Sequence, residues 1–351
     1  MSDGGAGAEP AAIPVFDGHN DTLTRQDAAD FVTGRAGGHL DLPRARAGGL
    51  AGGIFALFTP TPGHDPPFEH TADGRLDVEP SPPIGSDVAA PHATAAAGRL
   101  LALERDGHLR LARAPGDLDA ARADGVLAAV MHLEGAEAID PGLEALDLWR
   151  AAGLRSLGPV WSRSNAFGHG VPFAFPASPD LGPGLTAAGR ALVRRCAELG
   201  IAVDLSHLNE AGFWDVARID AAPLIASHSA VHALSAQSRN LTDAQLDAIG
   251  ASGGLVGIVF AAPFLREDGR DDADTPLATL IAHVRYVAER IGVEHVGLGS
   301  DFDGATIPAE LGDVAGLPRL IAALGRSGFG DAEIRAIAWD NWRRVLERAW
   351  A

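Results

Sequence analysis

The chain has 351 residues, 46% of them apolar and 21% charged, and carries a formal net charge of −18. That length suits one large domain or two ordinary ones. The negative excess argues against nucleic acid or an anionic membrane as a partner, since both repel an acidic surface, and the single cysteine, Cys196, excludes an intrachain disulfide.

Residues 1–12 are small and acidic and lack the basic start and apolar core of a signal peptide. No run of about 18 apolar residues suggests a membrane span, and residues 344–351 form no apolar anchor. These features give the expectation of a cytoplasmic protein that uses no membrane.

The first strand is expected at 13–17, running into Gly18-His19-Asn20-Asp21. If the extended backbone continues, His19 and Asp21 lie two residues apart and point the same way. One offers an imidazole nitrogen and the other a carboxylate oxygen, both accepted ligands of Zn²⁺. A second apolar run, 53–58, leads into a proline-rich loop at about 59–91 that carries His64, Asp65, Glu69, His70, Asp73, Asp77 and Glu79. With no strand to fix them, its histidines are read as solvated, and the loop as one that shapes the catalytic end. A helix is expected at 87–106. The run 126–132 ends in His132-Leu133-Glu134 and precedes a helix at 141–152.

The run 154–161 ends at Trp161. Thr186 caps a helix at 186–199, with Gly200 just past its end. The run 201–206 ends in Asp204-Leu205-Ser206-His207, and Asn209 caps a helix at 210–218. The run 223–227 ends in Ser227-His228-Ser229, with Arg239 following before a helix at 243–252 that Thr242 caps. After 255–260 comes a long helix at 275–291. The run 295–299 leads into Ser300-Asp301-Phe302-Asp303-Gly304, and an amphipathic helix at 331–349 closes the chain.

Eight continuous apolar runs alternating with helices predict an α/β (β/α)₈ TIM barrel, because strands buried on both faces read as unbroken apolar segments. A doubly wound sheet would show a Gly-rich turn after its first strand, which Gly18 alone does not make. No linker divides the chain, so 1–351 is read as one domain with the 59–91 loop as an insertion.

In a barrel the C-terminal strand ends converge on one mouth. Five of them here end in His, Asp or Glu, the pattern of a catalytic metal site. His19, Asp21, Glu134, His207 and His228 are more ligands than one tetrahedral catalytic zinc uses. They suit two Zn²⁺ sharing a carboxylate, with Mn²⁺ or Co²⁺ as other fits. Two such ions, roughly 3.5–4 Å apart, share a bridging hydroxide and polarise a carbonyl. Asp301 is the candidate proton carrier, with Asp303, of the same parity, as second choice. Arg239 suits a bidentate clamp on a substrate carboxylate or, equally, a surface ion pair.

These pieces, together with His39-Leu40-Asp41-Leu42-Pro43-Arg44, Arg239-Asn240-Leu241 and the closing Asn341-Trp342-Arg343-Arg344-Val345-Leu346, resemble the membrane (renal) dipeptidase family of zinc metallopeptidases, relatives of the amidohydrolase barrels. The resemblance covers nearly the whole chain. It implies a binuclear zinc dipeptidase, some of whose members accept a C-terminal D-residue. By it His19 and Asp21 hold one zinc, His207 and His228 the other, and Glu134 bridges. Asp301 becomes the acid and base, and Arg239 binds the substrate's terminal carboxylate. One departure stands out. The family carries a histidine after its fourth strand that stabilises the oxyanion, and Trp161 occupies that position here. An indole donates one hydrogen bond and carries no charge. Trp161 is therefore read as an aromatic wall of the substrate pocket, with Arg163 and His169 as candidates to replace the histidine. The competing readings are a metal amidohydrolase acting on another amide or an N-acyl amino acid, and a catalytically impaired pseudoenzyme. A small dipeptide is the expected partner, and a homodimer is left open.

Overall fold

The computed structural model describes residues 13–351 except 26, 65, 67 and 220–222. The targeting expectation for residues 1–12, and Asp65 of the proline-rich loop, lie outside those residues. Among them, no helix is long and apolar enough to cross a membrane.

Eight parallel strands form a nearly closed barrel: β1 Val15–Asn20, β2 Leu50–Phe58, β3 Leu127–Glu134, β4 Leu154–Gly158, β5 Ala202–Val203, β6 Ile225–Ser229, β7 Leu255–Val259 and β8 Val296–Gly299. Their order is β5-β4-β3-β2-β1-β8-β7-β6, and a parallel bridge from Asp204 to Ile225 joins the two ends. Each expected run overlaps its strand, although β1, β3 and β6 continue past the C-terminal end of theirs and β2 starts three residues earlier, at Leu50. The longest register, Gly52↔Ala128 through Phe58↔Glu134, sets the ends of β2 and β3 level at the mouth. Along β1 the pairing goes from Asp17↔Gly53 to Asn20↔Phe55, three steps against two. That extra residue is a bulge, a device that re-aims side chains beside active sites. His19 lies inside it.

The expected helices form with the capping chemistry that the sequence signals. Thr186 accepts from Gly189 N at 3.0 Å, and Asn209 Oδ1 accepts from Gly212 N at 2.9 Å. Thr242 and Gln245 cap each other's backbone around Asp243–Ala251. Other elements lack so clear a signal. Leu42–Gly48 starts at an Asp41 cap with Pro43 in its first turn, and Pro115–Ala123 likewise opens on a proline. Leu317–Arg326 is a further helix, and Leu109–Leu111 pairs with the first half of β3.

The 59–91 loop is shorter than its proline content suggests. Ser86–Arg105 is already helical, with Pro91 inside it. Pro91 is the sixth residue of that helix, past the first turn, so it gives up the one intrahelical bond that its N–H would otherwise make to the Asp87 carbonyl. Within the loop, Leu76–Asp77 pairs antiparallel with Ala174–Phe175 and pins it across the mouth to the segment after β4.

The closing helix seals the other end of the barrel. It runs Asp331–Arg335, a π turn at Ala336–Asp340, then Asn341–Ala349, so the single helix expected there is interrupted. Trp342 is fully buried, packs on Phe16 with ring centroids 5.6 Å apart, and donates its indole N–H to Leu298 O at 2.9 Å. Gly18 faces the Trp342 ring so closely that a Cβ there would overlap it.

Candidate active site

Five strands deliver the acidic and imidazole residues to one point. Glu134, the last residue of β3, lies at its centre. Its Oε1 is 3.0 Å from His207 Nε2, 3.5 Å from His19 Nε2 and 3.8 Å from His228 Nε2. His207 and His228 bring their Nε2 atoms within 3.0 Å of each other. On the far side of His19, Asp21 Oδ2 lies 3.6 Å from Nε2. Ligand atoms of His19, Asp21 and Asp301 fall within 4.8 Å of one another, as do those of Glu134, His207 and His228. The structure thus brings together all six residues expected for metal binding and proton transfer.

The ring orientations follow from buried hydrogen bonds. Ser227 Oγ donates to Asp204 Oδ2 at 2.6 Å, and His228 Nδ1 lies 2.8 Å from that same Oγ. A hydroxyl has one proton to give, so His228 Nδ1 must be the donor and Nε2 keeps its lone pair toward Glu134. Asp204 also accepts from Ser206 Oγ at 2.7 Å and Ser227 N at 2.8 Å, which locks β5 to β6 just below the ligands. His207 Nδ1 is held by Ser162 Oγ at 2.8 Å. Asp17 Oδ1 accepts from Ser300 N at 2.6 Å and joins β1 to β8 under His19 and Asp301.

These supporting residues were not singled out from the sequence. The Asp204-Leu205-Ser206 stretch was in view, but only the barrel closure shows that Asp204 serves the histidine of the next strand. His132 is fully buried with Nδ1 on Ser156 Oγ at 2.9 Å, so this strand-end histidine supports the wall.

The electrostatics favour divalent cations. Burial pushes the Asp301 carboxyl up to about 7, with the charges of Asp21 and then Glu134 adding to it. Burial raises Asp21 as well, and the Glu134 charge reinforces the shift. Burial alone would raise Glu134, but the neighbouring His19 and His207 hold it well below the usual carboxylate range. Burial and the Arg239 charge lower His207 to about 4, which keeps the ring neutral as a ligand must be. His19 is fully buried, and neither of its ring nitrogens has a hydrogen-bond partner; Asp21 Oδ1 also lacks one. Buried polar atoms seldom stay unmatched, and a cation between His19, Asp21 and Glu134 would take up the His19 Nε2 lone pair together with the carboxylates. The residues present therefore fit metal ions with nitrogen and oxygen ligands.

Asp301 and Asp303 both adopt left-handed backbone, φ +60° and +70°. For a non-glycine residue that costs on the order of 1–3 kcal/mol and is concentrated at functional sites. The two differ in what their carboxylates do. Asp303 Oδ1 accepts from His39 N at 2.6 Å and Oδ2 lies 3.4 Å from Arg35 Nη1, so it closes the loop. Asp301 faces the ligands.

A cavity of about 910 Å³ opens over this point, reached by Trp161, Phe58, Phe173, Phe264, Arg239 and the 59–91 loop. Arg239 is buried. Its Nη1 donates to Ser206 O and its Nη2 to His228 O, and its Nε has no partner. It is therefore not a surface ion pair. Trp161 packs beside His207, with centroids 5.8 Å apart. Neither candidate to replace the family histidine reaches the cavity among the described residues. Arg163 Nε donates to Glu137 Oε1 at 2.8 Å behind the Trp161 ring, and His169 Nδ1 is held by Ser164 Oγ at 2.9 Å.

Comparison with known proteins places these features. A family model described as membrane dipeptidase (peptidase family M19) matches residues 10–350. A metallo peptidase from Rhodobacter sphaeroides, solved with a phosphinate mimic of the dipeptide L-Ala-D-Ala, superposes with a TM-score of 0.92 at 47% identity, covering 96% of this chain and 99% of that one. A second structure, the metallo peptidase called dipeptidase AC, gives 0.91 and 48% identity with the same coverage. An uncharacterised protein of Klebsiella pneumoniae, encoded 5′ of pqqA, is 52% identical over 244 residues, or 70% of this chain and 90% of that protein.

Proposed function

The chain belongs to the membrane dipeptidase family of metallopeptidases, and on that premise we propose a zinc-dependent dipeptidase that hydrolyses dipeptides, including those with a C-terminal D-residue. It is a hydrolase of peptide bonds that depends on metal ions. The observation that carries the fuller reading is Glu134 Oε1 lying within 3.0–3.8 Å of three histidine Nε2 atoms contributed by three other strands or strand ends. In this reading His19 and Asp21 hold one zinc, His207 and His228 the other, and Glu134 serves both.

Bound there, the ions supply Lewis acidity to the scissile carbonyl and to water. The remaining work falls to the chain. Arg239, through its unpartnered Nε and the open side of its fork, binds the substrate's terminal carboxylate; an unpaired buried guanidinium is itself a reason to expect an anion. That clamp sets the C-terminal residue between Arg239 and Glu134. Asp301, as the carboxylate, takes a proton from the attacking water and passes it to the nitrogen of the leaving residue. Water adds to the carbonyl carbon, the C–N bond breaks, and an acid and an amine result. Trp161 forms a wall of the substrate pocket.

The test is metal analysis joined to a hydrolysis screen over L-Xaa–L-Xaa and L-Xaa–D-Xaa dipeptides. We expect about two zinc per chain and turnover of some members. Stoichiometric zinc with no turnover anywhere in the panel contradicts it. Arg239→Met should raise KM for the best dipeptide at least about tenfold; an unchanged KM would favour an amide substrate without a terminal carboxylate.

A further inference from the structure

Four aromatic rings line one side of the cavity in an unbroken row. Phe58 contacts Trp161 at 5.1 Å between centroids, Trp161 contacts Phe173 at 5.7 Å, and Phe173 stacks on Phe264 at 6.1 Å with planes 12° apart. Its second ring, Trp161, lies beside His207, and its last, Phe264, lies under Arg239, whose guanidinium is 5.3 Å from that ring. The C-terminal residue of a dipeptide held as above covers the same interval, from the scissile amide at Glu134 to the carboxylate at Arg239. Its side chain therefore meets Trp161, Phe173 and Phe264.

Two further features narrow what fits there. The cavity, at about 910 Å³, is near the top of the ~300–1,000 Å³ typical of small-molecule pockets, far more than two alanines fill. Away from the metal ligands and Asp301, its described lining carries Glu79 and Asp271, besides Asp303, which is already paired with Arg35, while Arg239 is its sole arginine or lysine. A second carboxylate on the substrate would face Glu79 and Asp271 with no lining arginine or lysine left to receive it once Arg239 holds the terminal carboxylate.

Given the dipeptidase reading on which this rests, we propose that the row Trp161–Phe173–Phe264 selects dipeptides with an aromatic or bulky apolar C-terminal side chain and rejects acidic ones. An aromatic side chain gains ring contacts and apolar burial along the row. Trp161 in place of a histidine is then a substitution that extends the row to the edge of the metal site.

The experiment compares kcat/KM of the zinc-loaded protein on L-Ala–Xaa dipeptides, with Xaa as Phe, Leu, Ala or Asp in both stereochemistries. Phe and Leu should exceed Ala by at least about tenfold, and Asp should fall below Ala by at least about tenfold. Phe173→Ala, which removes the middle ring, should collapse the Phe-over-Ala ratio toward one. Phe173→Leu carries that comparison if the alanine variant does not fold, and should lower the ratio less. A flat profile, or Asp as the best substrate, overturns this inference while leaving the dipeptidase reading intact. Hydrolysis of none of the panel overturns both.

Discussion

Gly304 occupies a position where no side chain fits. A Cβ there would run into Asp21 Oδ2 and Asp301 Oδ1, the carboxylates on either side of it. Gly304→Ala must displace one of them, so it should lower zinc occupancy and kcat together, by at least about tenfold in kcat, with little change in far-ultraviolet circular dichroism. Full zinc content and full activity in that variant would show that the two carboxylates are not packed as described. Asp301→Asn separates chemistry from binding. It keeps the shape but cannot accept the proton, so kcat should fall by about 10²–10⁴ while zinc stays bound. Unchanged turnover would remove Asp301 from the reaction, and absence of turnover in both forms would support the pseudoenzyme reading. At this scale the sequence was informative for atoms that touch the site and much less so for those behind it. His19, Asp21, Glu134, His207 and His228 each follow an apolar run, and that position marks them. Asp17, Ser162 and Ser227 look like ordinary strand or loop residues until the fold sets them against Ser300, His207 and Asp204.

The elements that hold the mouth are tied together by buried polar bonds, and one of these gives a pH signature away from the ligands. His283, on the helix Leu277–Ile291, accepts from Val231 N through Nδ1 at 3.0 Å, which leaves Nε2 as the donor to Leu265 O at 2.9 Å. The ring thus links that helix to the segments following β6 and β7. Burial lowers its pKa from 6.5 to about 4. As pH falls, the unfolded chain takes the proton first, near 6.5, while the folded chain resists it. This contribution is fully present above about pH 6.5 and is lost toward pH 4, on the order of 3 kcal/mol. Urea midpoints measured from pH 7 to 4.5 should fall more steeply for the native chain than for His283→Gln, and parallel slopes would contradict it. At the element scale, strands were more legible than helices. A strand buried on both faces leaves an unbroken apolar run, whereas Leu42–Gly48 and Pro115–Ala123 are short, proline-initiated and carry few apolar residues to mark a periodicity. The bulge in β1 left no mark either, because an inserted residue changes the register with a neighbour and not the composition.

At the scale of the whole molecule, the first strand and the last helix meet. Phe16 packs against both Trp339 and Trp342, so the two ends of the described chain close one end of the barrel while the other is left to the site. The arrangement separates labour as barrels do, with stability at one face and chemistry at the other. At the mouth, Asp21, Glu134 and Asp301 crowd carboxylates beside three imidazoles, and the proposed function has two zinc ions balancing them. The most direct measurement is the hydrolysis rate of chelator-stripped protein on its best dipeptide as zinc is added back. The rate should start near zero, rise, and level off at two equivalents per chain. A rate that is unaffected by stripping, or that saturates at one equivalent, would contradict the shared role assigned to Glu134.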